Sequence, residues 1–137
     1  MTINEVISRA MRQLGLVQAG EAPTAGEYAD GLQSLNLMMA GLRTRGVDMG
    51  WQAYTEDQGG ETWPYPDEDT GHVTAMLAVY IAGEYGKGDR VPAAVVATSA
   101  AGFTALWAKY NTAAEMQFDR AITLPYTNGG VDRTLFS

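Results

Sequence analysis

The sequence predicts an all-α domain of four helices, with a β-hairpin or long-loop insertion after the second helix and an extended C-terminal arm. Three observations carry this expectation. Four stretches repeat apolar residues at three- and four-residue steps between start and stop residues, the period of a helix with one buried face. Between the second and third stretches, residues 47–66 lose that period and become aromatic, acidic and glycine-containing. Beyond Met116 the period fades again, where Leu124-Pro125 and Asn128-Gly129-Gly130 break helix. At 137 residues the chain matches one domain with one core. The expected division is a helical body over 1–116, with its insertion at 47–66, and an arm over 117–137.

The first helix is expected to start at Thr2, which has capping-box spacing with Glu5, and to end near Gly15. Ile3, Val6, Ile7, Ala10, Met11 and Leu14 form its buried stripe. Leu16 to Pro23 reads as a connecting loop. Thr24 and Glu27 repeat the capping box before a second helix from Ala25 to about Thr44, with Gly46 as the left-handed residue beyond its end. Tyr28, Leu32, Leu35, Met39 and Leu42 line its apolar face. In the insertion, Trp51, Tyr54, Trp63 and Tyr65 flank Gln58-Gly59-Gly60-Glu61, and the glycine pair permits the positive φ angles of a tight hairpin turn. A lone hairpin is marginal in water, so this one should pack on the helices or pair with a neighbouring subunit.

The third helix is expected from about Asp67 to Tyr85, with Gly86 at its far end. Asp67, Glu68 and Asp69 favour the positive end of its dipole, and Val73, Met76, Leu77, Tyr80, Ile81 and Tyr85 form its apolar face. The short connection from Lys87 to Val91 implies antiparallel neighbours. Pro92 suits the first position of a fourth helix, which runs through Val96, Phe103, Leu106 and Trp107 to about Met116. Its alanines allow close helix approach. The arm keeps Phe118, Ile122, Leu124, Tyr126, Val131, Leu135 and Phe136, too apolar for a purely solvating tail. It either lies back on its own domain or orders on another protein.

Charge is unevenly placed. Between Gly46 and Gly86 stand eight acids and no lysine or arginine, so this stretch carries −8, while the rest, with nine basic and eight acidic residues, carries +1. An acidic surface repels phosphate, which disfavours tight binding to a DNA backbone. No apolar run reaches the roughly 18–20 residues that cross a bilayer, and the N-terminus has no charged-then-apolar signal pattern, so a place in the cytoplasm or in a particle assembled there is expected.

Chemistry-bearing constellations are sparse. The chain has no cysteine and a single histidine, which removes disulfides, thiolate metal sites and histidine-rich metal sites within one chain. His72 has no second histidine or cysteine with which to form a nucleophilic pair, so no metal, cofactor or catalytic residue is assigned. Glu56, Asp57 and Glu61 beside the aromatics have the residue types of a carboxylate-based glycan hydrolase, but a glycine-turn hairpin is a poor scaffold for a fixed carboxylate separation. A small helical DNA-binding regulator is the other alternative. Its reading helix would begin with Glu27 and Asp30 where donors to DNA are needed. Helix C-terminal capping or pairing between subunits accounts for Arg9, Arg12, Arg43 and Arg45 instead.

Two stretches carry a family resemblance. Thr24-Ala25, Glu27, Asp30, Leu32, Leu35-Asn36, Met38 and Gly46 resemble the second helix of tailed-phage head-to-tail connector (adaptor) proteins. Tyr65-Pro66-Asp67-Glu68, leading to Ala82-Gly83-Glu84-Tyr85-Gly86, is similar to that family's third helix with its Ala-x-Glu-Tyr-Gly end. Leu42 stands where the family usually has tryptophan, and Gly83 where proline is common. The resemblance implies no enzyme but a virion protein of the head-tail junction. It implies a ring of copies, a dodecamer, that binds the portal, extends the DNA channel, helps retain packaged DNA without gripping it, and offers attachment to a downstream tail or nozzle protein. Leu124, Pro125, Tyr126, Val131, Leu135 and Phe136 are the portal-binding residues it implies. Trp51, Tyr54, Trp63 and Tyr65 are the expected contacts to a neighbouring subunit or the next protein.

Overall fold

The computed structural model describes residues 1–86 and 88–111, and these form four α-helices. They are α1 (Ile3–Gln13), α2 (Ala25–Thr44), α3 (Asp67–Glu84) and α4 (Ala93–Tyr110). The helical part of the expected fold is present. Among the described residues no helix is long and apolar enough to cross a membrane.

Helix starts follow the capping residues. Thr24 and Glu27 close a full capping box on α2: the Glu27 N–H donates to Thr24 Oγ1 at 3.2 Å and the Thr24 N–H to Glu27 Oε1 at 2.8 Å. On α1, Thr2 Oγ1 accepts from the Glu5 N–H at 3.2 Å. Gly46 and Gly86 take positive φ, 96° and 68°, just past α2 and α3, the backbone region where a Cβ is disfavoured.

α3 is the central helix, packed against α1, α2 and α4. It is buried on most sides, with Val73, Ala75, Leu77, Ala78, Ile81 and Ala82 in the core. Against it lie Ile3, Val6, Ile7, Ala10 and Met11 of α1 and Leu32, Leu35, Met38, Met39 and Leu42 of α2. A Cβ on Gly31 would collide with the Ile7 side chain, so glycine there lets α1 and α2 close. Tyr85, expected on the apolar face of α3, is instead exposed, because the helix ends at Glu84 and the chain turns away.

Two further expectations need correction. The fourth helix ends at Tyr110 and not near Met116: Asn111, at φ −89° and ψ 88°, leaves the helical region. The β-hairpin is also absent. Residues 47–66 hold a single 3₁₀ turn at Glu56–Gln58, and among the described residues there is no strand, only an isolated antiparallel bridge between Thr2 and Thr62. Gly59 lies at φ −60°, so the glycine pair does not make a positive-φ hairpin turn. The segment's backbone goes to α1 instead. A helix start leaves its first N–H groups without intrahelical partners. Here Ile3 N–H donates to the Glu61 carbonyl at 3.1 Å and Asn4 N–H to the Gly59 carbonyl at 3.0 Å, while Trp63 N–H donates to the Met1 carbonyl at 2.9 Å. A long loop that caps α1 replaces the hairpin.

Candidate functional site

The aromatic residues of this loop form one cluster. Trp51 has its ring centroid 5.1 Å from Tyr54, 5.7 Å from Trp63 and, nearly parallel, 6.2 Å from Tyr65. Trp63 meets Tyr65 edge-on at 5.2 Å. Such offset and edge-to-face pairs satisfy the ring quadrupoles. Both tryptophans are only 5% exposed, so the body of the cluster belongs to this chain's core, and only Tyr54 and Tyr65 reach its edge. Burial pushes the Tyr65 phenol up from 10.0 to about 12, with Tyr110, Tyr54 and Asp48 adding to the rise and Arg43 opposing it.

Buried indole N–H groups need acceptors. Asn36 on α2 supplies one: its Oδ1 accepts from Trp51 Nε1 at 3.1 Å and from the Tyr54 N–H at 3.2 Å, and its Nδ2 donates to the Tyr54 carbonyl at 2.9 Å. Thr70 Oγ1 accepts from Trp63 Nε1 at 2.9 Å. Arg43 donates to the Trp51 carbonyl and lies 3.6 Å from Asp48. Nothing in the spacing of Asn36 along α2 announces that it holds the loop.

Other polar residues of α2 meet the end of α3. Ser34 donates to the Glu84 carboxylate across the α2–α3 seam. Asp30 is close to Tyr85, whose phenol is raised first by burial and then by the Asp30, Glu27 and Glu84 carboxylates. The two stretches, fifty residues apart in sequence, therefore form one tie between helices.

The exit from α4 is pinned in a similar way. Asp69, in the first turn of α3, is buried. It accepts from Lys109 Nζ at 3.1 and 3.0 Å and from the Tyr110 hydroxyl at 2.5 Å. The hydrogen bond to Asp69 holds the Lys109 ammonium above its ordinary value, and burial followed by Asp69 raises the Tyr110 phenol. Asp69 thereby ties the last turn of α4 to the first turn of α3. Leu124, Pro125, Tyr126, Val131, Leu135 and Phe136 lie outside the described residues.

The remaining candidates are placed apart. Glu56, Asp57 and Glu61 are exposed on the loop, and a hydrogen bond from Thr55 lowers the Asp57 carboxyl, the direction opposite to that of a general acid. His72 lies half-buried against Gly102 in the α3–α4 seam. Its Nδ1 is buried with no hydrogen-bond partner among the described residues. Arg9 and Arg12 face a groove of about 470 Å³ between α1 and α3, shared with Asp67. Arg45 lies over the Phe103 ring at 4.0 Å. Among the described residues no group of three His, Cys, Asp or Glu side chains is placed to hold a metal ion.

A surface that the periodicity did not single out is on α4. Only Gly102 and Leu106 of that helix are buried, and Val96 and Trp107 remain 47% and 44% exposed. Compared with known proteins, the chain matches no family model, no curated protein and no solved structure.

Proposed function

We propose that the chain is a structural subunit of a phage head-to-tail connector ring. The observation that carries this reading is the tie between its two family-like stretches. Asp30 and Glu27 of α2, both among the resembling residues, act on Tyr85 at the end of α3, and Ser34 between the resembling positions of α2 donates to Glu84 beside it, which supports a shared scaffold role for the two stretches. In this reading copies close a ring, a dodecamer by resemblance, through heterologous contacts in which one patch meets a different patch on the next copy. The edge of the aromatic cluster at Tyr54 and Tyr65 is the contact offered to a neighbour or to the next tail protein. Trp51 and Trp63 support that edge from within.

The ring binds the portal through Leu124, Pro125, Tyr126, Val131, Leu135 and Phe136, extends the channel, and helps retain packaged DNA. The exposed acids of the loop keep the passing duplex from adhering to the wall, because like charges repel. No catalytic step and no cofactor belong to this role, and its place is the head-tail junction of the virion. Electron micrographs of the purified chain mixed with portal test it. Rings seated on the portal are expected, and removal of residues 124–137 should weaken the assembly. Equal binding by the shortened chain would overturn the arm's role. If no ring formed and the isolated chain bound duplex DNA in a salt-dependent way, a DNA-binding regulator would replace the connector.

A further inference from the structure

A groove of about 310 Å³ opens between α2 and α4 over α3, with Leu37, Gly41 and Arg45 on one wall, Ser99 on the other and Tyr80 in the floor. Its rim is apolar: Leu37 is 50% exposed, and Val96 and Trp107 extend it along α4. Ser99, Phe103, Trp107 and Asn111 recur every four residues, so they run down one side of the helix. That line leads from the groove to the point where the chain leaves α4. Arg45, which lines the groove, covers the Phe103 ring, and the next residue, Gly46, lies against Trp107 Nε1 and the Asn111 side chain. Asn111, the last described residue, therefore lies beside Gly46 at the Arg45 end of this line.

We propose that residues 112–123 fold back into this groove of their own chain, leaving residues 124–137 to reach another protein. The segment has the composition the groove needs, with Ala113, Ala114, Met116, Phe118, Ala121 and Ile122. It also has the reach. Ser99 is three helical turns back from Asn111, about 18 Å at the helical rise, and twelve residues of extended chain span up to roughly 40 Å. A tether this short holds the segment at an effective concentration of about a millimolar or more beside the groove, which favours the chain's own segment over one from a second copy. The proposal goes beyond the connector reading and does not depend on it.

Because the chain has no cysteine, introduced pairs report proximity without background. In the full chain at dilution, Ser99→Cys is combined in turn with Gln117→Cys and Ala121→Cys and oxidised mildly. At least one pair should close an intramolecular disulfide about tenfold faster than the same arm cysteine paired with Arg12→Cys on the α1–α3 side, the excess expected of a seated over a freely ranging tether. Leu37→Glu should bring the groove pair down to the Arg12→Cys rate. Acrylamide quenching gives a second readout in the unmodified chain. Trp51 and Trp63 are buried, so quenching reports Trp107, which should be shielded in the full chain and become accessible with Leu37→Glu. Equal closure at Ser99 and Arg12 would overturn the proposal, as would disulfide-linked dimers, which place the segment on a second copy. Portal binding is a separate measurement, so failure here leaves the connector reading standing.

Discussion

Residues 47–66 and helix α4 exchange the roles their compositions suggest. The loop is acidic and irregular, yet it buries two tryptophans at 5% exposure and hands its carbonyls to the first turn of α1. α4 is rich in alanine, valine and aromatics, yet it buries only Gly102 and Leu106. Composition sets how much a segment gains from burial, at about 25 cal/mol per Å² of apolar surface. Whether it is buried depends on which neighbours exist. The loop lies where α1, α2 and α3 all present partners. α4 has α3 on one side and a groove on the other.

The largest expected effect is on that contrast itself. Trp63→Ala should cost about 3–5 kcal/mol, in the range for a large core aromatic replaced by alanine. Trp107→Ala, outside the core of the helical body, should cost less, within about 2 kcal/mol. Urea unfolding of both variants measures the difference. Similar costs for the two would mean that Trp107 is as well packed as the loop cluster.

Asn36 sharpens the comparison next. Asn36→Leu keeps the size of the side chain but strips partners from Trp51 Nε1 and from both the N–H and the carbonyl of Tyr54. Leaving buried polar groups unpaired should cost about 2–3 kcal/mol. Trp51 fluorescence should also shift to the red as the loop loosens. A neutral outcome would show that the aromatic cluster holds the loop without its polar anchor.

These two residues show how much the sequence made legible. The starts of α1 and α2 and the ends of α1, α2 and α3 are legible because their signals are local: a threonine with a glutamate three residues on, or a glycine where φ must turn positive. The sequence left a hairpin and a long loop open because aromatic residues around a glycine pair suit a hairpin, while the partners that decide for the loop, Met1, Ile3, Asn4 and Asn36, are distant in sequence. Burial of Trp51 and Trp63 depends on those non-local partners. The exposure of α4 was hidden for the same reason, since a 3.6-residue period reveals an apolar face but not whether anything covers it.

Alkali probes the loop without mutation. Burial raises the Tyr65 phenol from 10.0 to about 12, so the folded protein favours the neutral form. Stability from this source is fully present below about pH 10 and is lost as pH rises from about 10 to 12. The urea midpoint should therefore fall across that window, and Tyr65→Phe should flatten the fall. Tyr85 and Tyr110 are also raised, so part of the slope should remain. An unchanged slope in Tyr65→Phe would place that phenol in water.

The smallest effect tests the side of α4 that packs on α3. A Cβ on Gly102 would lie 2.8 Å from the His72 Cβ and 3.2 Å from its Cα, so the α3–α4 seam is closed by the absence of a side chain. Alanine in mid-helix gains about 0.8–1 kcal/mol in propensity. Forcing two backbones apart costs about 1–3 kcal/mol, so Gly102→Ala should be net destabilising by about 1 kcal/mol. Gly83 in α3 meets nothing within 4 Å, so Gly83→Ala keeps the propensity gain and should stabilise by up to about 1 kcal/mol. Opposite shifts in melting temperature are the expected result. If both variants were stabilised, α4 would be loosely held against α3, and the pin from Asp69 to Lys109 and Tyr110 would be its main attachment.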